Sequence, residues 1–397
     1  MEPNRFKWSL MNDNIIQSDK QTVIEFLNQP NVRFTQSKYV REFEKAWSEW
    51  LGVKHTVYVN SGASANYIMA SIVRELYGSK KEVIVPPIGW VSDVASYIKN
   101  DLTPVFVDVG LDNLSMTVEN IEKAITDKTV AINLVHALGF NALNDRLLEV
   151  AKKYNLMLIE DCCESHGATF NKQKIGTFGK MSNFSFYFGH HITTVEGGVV
   201  CTNDDMIYDL AKLFRSHGMT RETSKEMQDK YKNKYPNLNP LFTFAVPGYN
   251  MRNVEINAVI GLEQLKRLDS NIEKRVENFS TWIEALDDEF FYTDYEVEGN
   301  SNFALPLILR SPSLQSLNSV CETLESNGIE YRLGTAGGGN QALQPYLREG
   351  KYDYRIDGDL TNANHIHEFG LYVGNHTDLS KEQIINLCNE LNKVKNV

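Results

Sequence analysis

From His55 onward the chain repeats one theme, a short apolar run followed by a turn and a helical stretch, which is the pattern of an α/β layer fold. The runs predict strands at His55–Asn60, Glu82–Pro86, Pro104–Val109, Thr129–Val135, Leu156–Asp161, Asn183–Phe188 and Gly198–Thr202. Most are continuous rather than alternating, as strands covered by helices on both faces are, so the sheet should be mostly parallel. An amphipathic helix over Met206–Ser216, stopped by Gly218, leads into a polar segment, Thr223–Asn239, that reads as a long surface loop. A helix from Val254 to about Leu286 follows. Beyond it, Asn302–Leu309 reads as a strand, Ser313–Asn327 as a helix, and Ser380–Lys393 as a last helix capped by Ser380. The expected organisation is a large α/β domain over 1–265 and a smaller α+β domain over 266–397.

Length and charge narrow the class. A chain of 397 residues holds about two domains. Its 40 Lys and Arg against 51 Asp and Glu leave a formal charge of -11, which argues against nucleic acid as partner, since phosphate binding needs clustered cations. Five cysteines, scattered apart from the adjacent Cys162 and Cys163, suit a reduced, cytoplasmic setting. There is no signal-peptide core and no apolar run of about 20 residues, so neither export nor membrane insertion is expected.

Three constellations carry candidate chemistry. Asn60-Ser61-Gly62-Ala63-Ser64-Ala65 joins a strand to an apolar helix, where small residues let backbone N–H groups approach a phosphate; the same residues suit a plain strand-to-helix turn. Ile159-Glu160-Asp161 closes another strand, and a carboxylate there could pair with a protonated ring nitrogen or serve as a turn aspartate. Ser185-Phe186-Tyr187-Phe188-Gly189-His190-His191 runs from a strand into a Gly-rich turn. Adjacent histidines in extended chain point to opposite faces, so at most one readily faces a given pocket, and metal ligands at fixed spacing are absent.

These segments occur in order with Thr35-Gln36-Ser37, Arg41-Glu42-Phe43-Glu44-Lys45, Pro86-Pro87-Ile88-Gly89-Trp90, Gly248-Tyr249-Asn250-Met251-Arg252 and Glu255-Ile256-Asn257-Ala258. The set resembles the DegT/DnrJ/EryC1/StrS family of pyridoxal-phosphate-dependent sugar aminotransferases, of the aspartate aminotransferase type (PLP fold type I). The resemblance implies a large domain with a mostly parallel mixed sheet and a smaller C-terminal α+β domain. It also implies that Gly62, Ala63 and Ser185 hold the phosphate of pyridoxal phosphate (PLP), with Asn250 reaching it from the other subunit of a homodimer with shared active sites. Trp90 would stack on the ring, Asp161 would meet the ring nitrogen, and Glu164 would lie near the ring hydroxyl.

The departure is at the catalytic position. Where the family carries Lys in a Ser-Phe-x-x-x-Lys frame, this chain has His190, and imidazole cannot form the covalent bond to the cofactor. Histidine can still act as a general base, with an unperturbed pKa of about 6.5. With Arg215-Ser216-His217-Gly218-Met219-Thr220-Arg221-Glu222 and Gly370-Leu371-Tyr372-Val373-Gly374-Asn375-His376, this resembles the branch of GDP-4-keto-6-deoxymannose 3-dehydratases of the colitose pathway. The branch implies that L-glutamate, leaving as 2-oxoglutarate, converts PLP to pyridoxamine phosphate (PMP), which acts on a nucleotide-linked 4-keto-6-deoxy sugar. His190 would remove the C4′ proton of the cofactor, the C3 hydroxyl would leave, and ammonia would be released. His217, Arg221 and Arg332 are candidates for substrate contacts, although His217 equally suits a helix C-terminus. A related iron-sulfur branch needs closely spaced cysteines that are missing here. A nucleotide-sugar aminotransferase and a non-catalytic PLP-fold protein are the alternatives.

Overall fold

The computed structural model describes residues 6–12 and 14–396. In chain order the strands are β1 (His55–Val59), β2 (Glu82–Val85), β3 (Thr103–Val107), β4 (Thr129–Val135), β5 (Met157–Asp161), β6 (Thr169–Phe170), β7 (Gln173–Lys174), β8 (Met181–Ser185), β9 (Gly198–Thr202), β10 (Ala304–Ile308), β11 (Tyr331–Leu333), β12 (Arg355–Asp357) and β13 (Gly370–Gly374). Eight of them form one sheet in the order β1-β9-β8-β5-β4-β2-β3-β12. All its pairings are parallel except those of β9, which runs antiparallel to both β1 and β8. The continuous apolar runs have the expected cause: all seven residues of β4 and all four of β2 are buried. Successive side chains point to opposite faces, so Val83 and Val85 enter one core and Ile84 the other.

Helices cover both faces. The Gly62–Tyr77 helix starts where Ser61 Oγ accepts from the Ser64 N–H at 3.0 Å and stops at Gly78, with φ +87°. β10, β13 and β11 form a separate antiparallel sheet. The Leu268–Ala285 helix packs on it, with Trp282 Nε1 donating to the Pro306 carbonyl at 2.8 Å. Two segments cross between the halves of the chain. β12 pairs with β3 in the large sheet, and Trp8 pairs with Ile329 while its Nε1 donates to the Gly374 carbonyl at 2.9 Å.

Two expectations need correction. Thr223–Asn239 is not an open loop, since Lys225–Lys234 is a helix capped by Ser224; it buries no side chain, so no apolar period marks it. The single helix from Val254 is two, Glu255–Leu265 and Leu268–Ala285. Between them the chain turns so that Arg267 makes a two-pronged pair with the fully buried Asp19, at 2.9 and 2.6 Å. Among the described residues no helix is long and apolar enough to cross a membrane.

Candidate active site

The carboxyl ends of β1, β2, β4, β5 and β8 point the same way, and a cavity of about 400 Å³ opens there, as ligand sites do in open α/β sheets. Its wall includes Gly62, Ala63, Trp90, Asp161, Glu164, Ser185, His190 and Arg332, eight of the residues singled out by sequence. The small sheet contributes Arg332 and Tyr372, and Phe303 comes from the segment leading into β10.

Ser61, Gly62 and Ala63 open the helix after β1, so their N–H groups have no helical partner and face the cavity with the positive end of the helix. Gly62 is required by close approach: a Cβ there would lie 2.7 Å from Ser185 Cβ and 3.0 Å from its Oγ. Asp161, 4% exposed, is fixed by three donors, with the Cys163 N–H on Oδ1 at 2.9 Å and the amides of Asn66 and Asn183 on Oδ2 at 2.8 and 3.0 Å. Glu164 accepts from the Leu138 N–H at 2.7 Å, and burial pushes its carboxyl up to about 7. Trp90 stands at the rim, 58% exposed, its N–H donating to Asp93 Oδ2 at 3.1 Å. The Gly-rich segment before Asn340 lies on this loop, and at Gly337, with φ +61°, a Cβ would strike the Gly89 carbonyl at 2.2 Å.

Of the two adjacent histidines only His190 lines the cavity. His191 is buried against Ser301, whose Oγ lies 3.0 Å from its Nε2. The His190 ring lies 5.3 Å from that of Phe303 and 5.9 Å from that of His166. Burial first, and then the Arg275 guanidinium, lower His190 to about 4, below the ordinary value the sequence suggests. Its Nδ1 is buried without a partner, so exchange of a proton with the cavity falls to Nε2. Among the described residues no lysine lines the cavity. Lys180 pairs with Asp204 at 3.8 Å, and Lys212 lies over the Tyr208 ring.

Asn250, His217 and Arg221 are not part of this wall. They sit together on a ribbon where Ser216 bridges Asn250 and Met219 bridges Phe244. Asn250 Oδ1 accepts from Arg252 Nε at 3.0 Å, His217 is exposed with φ +59°, and Arg221 lies over the Phe242 ring. Sequence reasoning passed over Asn66, Asp93 and Asn183. Asp93 follows Ser92, Asn183 follows Ser182 and Asn66 lies close to Ser64, so none stands out in the sequence and only burial marks them.

A model of the DegT/DnrJ/EryC1/StrS aminotransferase family matches residues 13–392. The chain belongs to this family. It is 34% identical over 370 residues to a GDP-4-keto-6-deoxy-D-mannose 3-dehydratase of Yersinia pseudotuberculosis, covering 91% of this chain and 92% of that one. Among solved structures, the E. coli GDP-4-keto-6-deoxy-D-mannose 3-dehydratase with bound hydrated PLP superposes with a TM-score of 0.88 at 30% identity, over 97% of this chain and 99% of that one. A GDP-4-keto-6-deoxymannose 3-dehydratase with a trapped PLP-glutamate geminal diamine matches equally, with a TM-score of 0.88 at 30% identity, over 97% and 100%.

This DegT-family pocket suits PLP on its own geometry. Gly62 approaches Ser185 too closely for a Cβ, so the start of the helix and the Ser185 hydroxyl stand side by side in the cavity wall. The buried carboxylate of Asp161 has no cation of its own among the described residues.

Proposed function

We propose that this protein is a PLP- and PMP-dependent nucleotide-sugar C3 dehydratase. It converts GDP-4-keto-6-deoxy-D-mannose to GDP-4-keto-3,6-dideoxy-D-mannose, with L-glutamate as amino donor and release of ammonia. The observation that carries this reading is an imidazole, and among the described residues no lysine, in the wall of a PLP-family pocket.

Bound there, the cofactor would supply an amine for the sugar ketone and a ring able to accept an electron pair. The N–H groups of Gly62 and Ala63 and the Ser185 hydroxyl would hold its phosphate at the helix N-terminus. Asp161 would hold the ring nitrogen in its cationic form, pre-set by Asn66, Asn183 and the Cys163 N–H. Trp90 would cover one face of the ring. Glu164, poised near 7, would hold or release a proton at the ring hydroxyl. His190 is neutral at pH 7, so its free base is fully populated and can take a proton from C4′. Arg332 is the cavity's cation for an anionic group of glutamate or nucleotide.

The working unit is a homodimer. Asn250, His217 and Arg221 share their ribbon with the exposed Leu241, Phe242, Phe244 and Tyr249, an apolar face that a second copy would cover while its own phosphate cradle receives Asn250. Mixing Asn250→Ala and His190→Asn proteins, each inactive alone, should restore activity through hybrid dimers; no recovery would refute shared sites.

The function itself is tested by incubating the holoenzyme with 15N-glutamate and GDP-4-keto-6-deoxymannose. The reading predicts labelled ammonia and a sugar lighter by one oxygen. Label retained on C4 with the C3 oxygen in place would make the protein an aminotransferase.

A further inference from the structure

Two carboxyl groups meet in the floor of the cavity with no cation paired to them among the described residues. Asp93, in the first turn of the Ser92–Lys99 helix, is 3% exposed, and Asp161 is 4% exposed. One amide joins them: Asn66 Nδ2 lies 2.8 Å from Asp161 Oδ2 and 3.3 Å from Asp93 Oδ1. Asp93 Oδ2 accepts from the Trp90 N–H, so the same side chain also anchors the loop that carries the indole. The titratable groups facing Asp93 are Asp161 and Glu164 from β5 and its loop, Cys163 beside them, Tyr97 on its own helix and Tyr346 on the Pro345–Arg348 helix. All are acids. Two carboxylates this buried, sharing one amide and lacking a cation, cannot both be ionised at neutral pH. Asp161 receives two donors besides that amide, the Cys163 N–H and the Asn183 amide, whereas Asp93 receives one, the Trp90 backbone N–H. Burial, followed by the charge of Asp161, raises the Asp93 carboxyl well above the usual range.

We propose that Asp93 is a positioning residue that stays protonated and donates its carboxyl hydrogen to Asp161, locking the ring-nitrogen carboxylate and the Trp90 loop into one unit. Its place in the cofactor site rests on the function proposed above, through Asp161. The pair carries one negative charge, matched to one cationic ring nitrogen, and the cavity floor is spared a second buried anion.

Infrared difference spectroscopy of the holoenzyme and the cofactor-free protein tests this without sugar turnover. Wild type minus Asp93→Asn should show a protonated-carboxyl band at pH 7 that shifts in D2O, and absence of that band overturns the proposal. Glu164→Gln removes the neighbouring acid that is raised to about 7, so a carboxyl band whose intensity stays constant in this variant from about pH 6 to 8 supports the proposal even should Asp93→Asn fail to fold. A band that fades across that range overturns it. Asp93→Leu should weaken PLP binding about tenfold, the loss of roughly one hydrogen bond, and Asp93→Asn, which keeps a neutral donor, should recover most of it. Equal weakening by both variants would refute the neutral-donor role. Failure of the dehydratase reading would leave the infrared band intact while no deoxygenated sugar appears.

Discussion

Gly62→Ala tests the proposed phosphate cradle. The new Cβ would sit 2.7 Å from Ser185 Cβ and 3.0 Å from its Oγ, where ordinary contact begins at 3.4 Å, so Ser185 or the helix start must retreat by about 0.7 Å. A phosphate hydrogen bond of about 2.9 Å stretched by that much passes beyond bonding range. Losing one charge-assisted hydrogen bond costs about 1.5–3 kcal/mol, or roughly 10- to 100-fold in the Kd for PLP. Equilibrium titration with PLP, followed by its absorbance, gives the Kd, and urea unfolding of the cofactor-free protein gives the control. A Kd within about twofold of wild type would refute the cradle argument. A collapse of stability in the cofactor-free protein would show that Gly62 serves the fold and not the ligand.

Two further predictions concern the surroundings of His190. Val195, a β-branched residue with φ +69° and 46% exposed, is strained, and Val195→Gly should raise the urea unfolding free energy by about 1 kcal/mol; a loss would contradict the strain. His166 is fully buried among Trp47, Phe184 and Phe186 with both ring nitrogens unpartnered, and burial lowers its pKa. Below about pH 6.5 the unfolded chain therefore takes up a proton that the native state refuses, and stability falls as the pH drops. His166→Phe removes this loss, so its advantage over wild type should grow by up to about 2 kcal/mol between pH 7 and 5; a pH-independent difference would refute it.

The large sheet was legible because its strands are buried on both faces. β4 and β9 fall on their expected bounds, and β8 starts and ends early because Phe186, fully buried against Trp47, extends the apolar run past the last paired residue. β11 and β12 are three residues each, too short for a period to show. The Lys225–Lys234 helix was hidden for the opposite reason, having no buried face at all. At the site, motif order pointed to Gly62, Asp161, Ser185 and His190. The floor beneath them was not legible, because Asn66 and Asp93 meet Asp161 only after the sheet is assembled. The lowering of His190 was equally hidden, since it arises first from burial and then from Arg275, on a helix far along the chain.

In this mechanism His190 carries the C4′ proton. The direct measurement is the loss of deuterium from C4′-deuterated PMP bound to wild type and to His190→Asn, on mixing with GDP-4-keto-6-deoxymannose. Wild type should lose the deuterium promptly, and the variant about 10²- to 10⁴-fold more slowly at unchanged PMP affinity. Equal rates in the two proteins would contradict it.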